Sequence, residues 1–144
     1  MTGDADPQEG SISLFTLGWI VVALMALAVL VGATQVHLDR MRLVALADEL
    51  AVAAAADAVR QAYAEGSGDV SVSAQEARAS ASAGLATSGR AWADEVSLAA
   101  VAVGEGDTVD VTLTRSIVPL PGSWDWLPGA AGVTITGQGS ARAG

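Results

Sequence analysis

The chain has 144 residues, with 16 carboxylates against seven basic side chains, all of them Arg, for a net charge of −9. That length holds one small domain. The acidity repels phosphate backbones and excludes nucleic-acid binding, and the absence of Cys excludes disulfides, thiolate chemistry and cysteine-ligated zinc.

The first ten residues form an acidic leader, with Asp4, Asp6 and Glu9 and no Arg. Ser11 to Val36 then runs for 26 residues without a charge. As a helix it would span about 39 Å, against a hydrocarbon core of about 30 Å. A domain this small cannot cover such a helix on all sides, so a membrane-spanning segment is expected over 11–36. A cleaved secretory signal has a shorter apolar stretch, a basic start and a small-residue cleavage site. This span is longer, follows an acidic segment and reaches His37 with no such site, which predicts a retained anchor. Arg40 and Arg42 lie just beyond it, so charge counting alone would keep the following domain in the cytoplasm.

His37 to Glu65 has neither Pro nor Gly and is crowded with Ala and Leu. It predicts a membrane-proximal helix ended by Gly66-Ser-Gly68. Leu38, Ala45, Val52 and Val59 recur every seven residues, and Met41, Asp48, Ala55 and Ala62 form a second row three positions on. Together they predict an apolar seam, for a partner helix or for the domain's own sheet. Asp48 interrupts that seam. A carboxylate there must meet solvent or find a donor, and polar seam residues can specify a partner. The run Ala53–Ala56 suits close helix approach as well as plain helix propensity.

Residues 66–144 predict a small α+β domain. Ser73 and Glu76 have capping-box spacing for a second helix, Ala74 to about Ser88, stopping at Gly89. Glu95–Val103 is a β-rich run, and Gly104-Glu-Gly-Asp107 is a turn. Thr108–Val118 alternates, with Val109, Val111 and Leu113 on one face and Thr108, Asp110, Thr112 and Thr114 on the other. Pro119–Gly132 is a loop containing Trp124 and Trp126, either a contact patch or a cover for a small core. Val133–Thr136 begins a last strand before a Gly/Ala-rich tail. About three antiparallel strands result.

Catalytic chemistry has little to work with. The one His, His37, falls at the membrane boundary. Asp48 and Glu49 diverge by about 100° on a helix and cannot readily share a proton. Gly104-Glu-Gly-Asp107 lacks both the Lys and the following helix of a phosphate loop. The expectation is a protein with no catalytic site, no cofactor, no metal and no small-molecule substrate.

The order Gly10, uncharged span, Arg42-Leu43, Ala47-Asp48, then Ala51 to Ala56 resembles the N-terminal segment of TadE/TadG-like proteins of tight-adherence (Flp-type) pilus assembly. The resemblance covers about residues 10–58. It implies a pilin-like, pseudopilin-type component of a bacterial pilus or secretion apparatus, N-terminus in the cytoplasm and C-terminal domain outside the cytoplasmic membrane. It also implies prepilin-peptidase processing at the Gly10–Ser11 bond, and docking of other pilus or secretion proteins through the helix over 37–65. Leu38, Met41, Asp48, Val52, Val59, Trp124 and Trp126 are the candidate contacts. The fifth residue after that bond is Phe15, where pilins proper carry Glu, and the leader lacks their basic residues. Both suit an assembly component rather than a filament subunit. The alternative is a membrane-tethered cell-envelope binding module of unrelated role.

Overall fold

A computed structural model describes residues 7–66, 71–117 and 132–143, the first five of them by backbone alone. Helix α1 runs over Pro7–Glu65, and Gly66 turns the chain with a left-handed φ of 67°. Helix α2 spans Ala74–Thr87, a 3₁₀ turn spans Ala93–Glu95, and the strands are β1 (Val96–Gly104), β2 (Thr108–Ile117) and β3 (Val133–Arg142). The fold is α+β. Contacts divide it into two units, Met1–Gln35 and Val36–Gly144.

In the first unit the apolar side chains are exposed among the described residues. Ile12, Phe15, Trp19, Leu24 and Leu30 are all more than half exposed. This helix is long and apolar enough to cross a membrane.

The second unit is built on the sheet. Its order is β1-β2-β3, both pairings antiparallel. One face is apolar and buried, with Val109, Val111, Leu113 and Ile117 of β2 and Ile135 of β3. On β2 and β3 the opposite face carries Thr, Ser, Asp and Gln, and on β1 Ser97, Ala100 and Ala102, as in an antiparallel sheet wetted on one side. The strand alternation read from the sequence places β2 correctly.

The core-facing stripe of α1 is Leu43, Leu46, Ala47, Leu50, Ala51, Ala54 and Ala55, spaced by threes and fours. What lets it settle on the sheet is the composition of β3. Gly137 sits opposite Leu113, and Gly139 opposite Val111. A Cβ on Gly137 would come within 2.8 Å of the Leu43 carbonyl carbon, and one on Gly139 would collide with the backbone of Ala47 and Asp48. Large residues on β2 facing glycines at 137 and 139 of β3 bring helix backbone against strand backbone. The segment expected to be a Gly/Ala-rich tail is therefore a continuation of β3 to Arg142, and its glycines seat the helix.

Helix α2 begins as the sequence predicts. Glu76 N donates to Ser73 Oγ at 3.2 Å. The return contact differs from a standard capping box, because the Ser73 hydroxyl donates to Glu76 Oε2 at 2.7 Å. The helix ends at Thr87, and Gly89 follows with φ 62°. Ala77 and Ala81 are buried, and Gly84 faces Leu50 of α1. The Ala run of α1 divides accordingly, with Ala54 and Ala55 buried and Ala53 and Ala56 exposed.

Candidate docking surface on the first helix

Beyond the uncharged span, α1 has two apolar stripes where a domain of this kind needs one. The first is the core stripe. The second lies roughly opposite, since at about 100° per residue Leu38, Ala45 and Val52 fall about 180–220° from Leu43. Leu38 is 48% exposed, Met41 58%, Val52 59% and Tyr63 77%. Ala45 and Ala56 are exposed between them, and Val59 is half-buried at the edge of the core. The sheet takes the first stripe, so of the two roles the seam could have had, packing the domain's own sheet is excluded for Leu38, Met41 and Val52.

The seven-residue rows do not map onto one surface. Met41 and Asp48 are exposed, whereas Ala55 and Ala62 in the same row are buried. A straight helix has 3.6 residues per turn, so a seven-residue row slips by about 20° each repeat and winds from the open side into the core. Followed at 3.6, the exposed stripe passes from Val52 through Ala56 to Tyr63. The heptad reading missed Tyr63, although it stands four residues after Val59.

Asp48 lies at the edge of this stripe. It is exposed, and among the described residues its carboxylate has no ion pair or hydrogen bond. Nearby Arg40 likewise has no ion pair among the described residues, whereas other neighbours pair elsewhere. Arg42 Nη1 contacts Asp39 Oδ1 at 3.5 Å, and Arg90 Nη2 contacts Glu49 Oε2 at 2.8 Å. Arg60 pairs with Asp57 at 2.6 Å. A shallow groove of about 350 Å³ runs along this part of the helix, lined by His37, Arg40, Met41, Val44, Ala45 and Asp48.

One polar contact behind the stripe went unread in the sequence. Arg115 occupies the core-facing row of β2, only 14% exposed, and contacts Asp39 of α1 at 3.6 Å and Glu95 at 2.7 Å. It ties the first turn beyond the uncharged span to the sheet. An Arg breaking the Val109-Val111-Leu113 alternation was the available signal.

Gly10 and Ser11 lie within the helical backbone of α1. Trp124 and Trp126 lie outside the described residues. Among the described residues, no group of three or more Asp, Glu or His side chains could hold a metal ion. What the surface offers is an exposed apolar strip with Asp48 at its edge.

Residues 10–57 match the Tad family model of Flp pilus-assembly TadE/G-like proteins. The match ends within the exposed stripe and supports the TadE/TadG-like resemblance over that third of the chain. No curated protein and no solved structure gave a match.

Proposed function

We propose that a chain whose anchor and first helix are TadE/G-like serves as a pseudopilin-type component of a pilus or secretion apparatus. It acts by helix packing and partner docking, with its α+β domain outside the cytoplasmic membrane. The observation that carries this is the coincidence of two features on one segment. The family match covers 10–57, and the same helix leaves Leu38, Met41 and Val52 open while its opposite side is satisfied by the sheet. An exposed apolar row on a small acidic domain is costly unless something covers it.

The test is genetic. In the cell that encodes this chain, its deletion abolishes Flp-type pili and the intact gene restores them. A Val52→Arg chain reaches the membrane at normal abundance and does not restore them. Pili that persist without the protein would overturn the proposal.

A further inference from the structure

The contacts of the second unit show which end of its sheet faces the bilayer. Val36, the last residue of the uncharged span, is partly buried and packs against the core of the domain. The span thus ends inside the domain's own packing. At about 39 Å it exceeds a hydrocarbon core of about 30 Å, so with the span centred on that core Val36 lies about 4–5 Å into the headgroup layer.

Contacts along α1 then give the heights of the strands. Gly139 lies against Ala47 and Asp48, and Gly137 against Leu43 and Val44. Arg115, the register partner of Ile135, contacts Asp39 at 3.6 Å. Two strand residues and four helical residues each advance about 6–7 Å. One more step toward the membrane brings Val133, paired with Ile117, level with Val36. Val133 continues the core-facing row of Ile135, Gly137 and Gly139, yet it is 42% exposed while Ile135 is buried.

The charges at this level cancel. Asp39 and Glu95 both contact Arg115, and Arg42 contacts Asp39. Asp94 and Arg40 are exposed, with no ion pair among the described residues. Arg40, Arg42 and Arg115 therefore balance Asp39, Asp94 and Glu95, and His37 adds no negative charge. In a chain of net charge −9 this end is neutral among the described residues, so an anionic bilayer surface does not repel it.

We infer that the domain rests on the phospholipid headgroups, with the Val133 end of β3 and the turn of α1 over residues 37–40 as its membrane-contact surface. Continuity fixes the occupant, because the helix that carries this surface is the one long and apolar enough to cross the membrane. The inference requires the retained anchor and is independent of the pilus role proposed above.

The experiment reads depth along one strand. Thr134, Thr136, Gln138 and Ser140 are all exposed on the wet face of β3, and the chain has no Cys of its own. Thr134→Cys, Thr136→Cys, Gln138→Cys and Ser140→Cys are made singly in the full-length chain and labelled with the fluorophore NBD. Each is reconstituted in phosphatidylcholine vesicles with and without a nitroxide on the lipid headgroup. Both leaflets carry the quencher, so the direction of insertion does not matter. Positions 134 and 140 are about 20 Å apart, more than one headgroup layer, so quenching at 134 is expected to be at least about threefold that at 140, falling steadily between. A weak, flat profile means a domain held off the bilayer and overturns the inference. So does a maximum at 140, or strong quenching at all four sites, which means a strand lying flat on the surface. Circular dichroism identifies any labelled chain that has lost its fold, and the slope is then read from the remaining sites.

Discussion

The Asp48 carboxylate has no ion pair or hydrogen bond among the described residues, so the folded domain does not depend on it. Asp48→Ala leaves thermal unfolding within about 0.5 kcal/mol of the parent, or slightly improved because Ala is the better helix former; a scanning-calorimetry shift to clearly lower temperature would make Asp48 an internal structural partner instead. Gly139 is the reverse case. Any side chain there meets the backbone of Ala47 and Asp48, and backbone cannot rotate out of the way. Gly139→Ala is expected to lower stability by about 1–3 kcal/mol, the range for overpacking, read from the denaturation midpoint with an unchanged m-value. Neither outcome follows from residue type alone. An exposed Asp inside an apolar repeat and a Gly inside a tail look ordinary until the helix is laid on the sheet.

At the scale of elements, α2 depends on its first turn. Ser73 both accepts from Glu76 N and donates to Glu76 Oε2, so Ser73→Ala should cost about 0.5–2 kcal/mol and loosen Ala74–Thr87 first, visible as faster amide exchange there than in β2. The elements most legible in the sequence were those with a local cause. The α2 cap, the Gly89 stop, the Gly104–Asp107 turn and the alternation of β2 are written in neighbouring residues, and each was found within a residue or two. Less legible was anything decided across the fold. The heptad rows mixed exposed and buried positions because a repeat of seven is not the period of a straight helix. Strand β3 was cut short because Gly-Gln-Gly lacks β propensity, and only the approach of α1 explains glycine there. Edge strand β1 carries a register shift between Leu98 and Ala100, a bulge of the kind that protects an apolar edge from pairing with other chains.

At the scale of the whole molecule, retention in the membrane and orientation across it can each be measured. The uncharged span is long enough to hold the chain in the bilayer, so carbonate extraction should leave it in the membrane pellet, full-length or trimmed only near Gly10. A soluble product starting near His37 would identify a cleaved signal. Orientation can be read by single-cysteine labelling, since the chain has no Cys of its own. The turn offers Glu105, which is exposed, in preference to Gly106, whose φ of 67° and close Arg142 guanidinium disfavour a side chain. With the domain outside the cytoplasm, as proposed, Glu105→Cys reacts with a membrane-impermeant maleimide in intact spheroplasts; labelling only after lysis would return the domain to the cytoplasmic side that Arg40 and Arg42 favour. The seating of α1 on Gly137 and Gly139 also fixes an order of events in time. The helix leaves the ribosome about ninety residues before the strand that receives it, and contacts so distant in sequence form late. Until β3 arrives, Leu43, Leu46 and Leu50 lack part of their cover and are open to chaperones and proteases. A chain that stops before β3 is therefore expected to be cut by protease faster than the full-length chain.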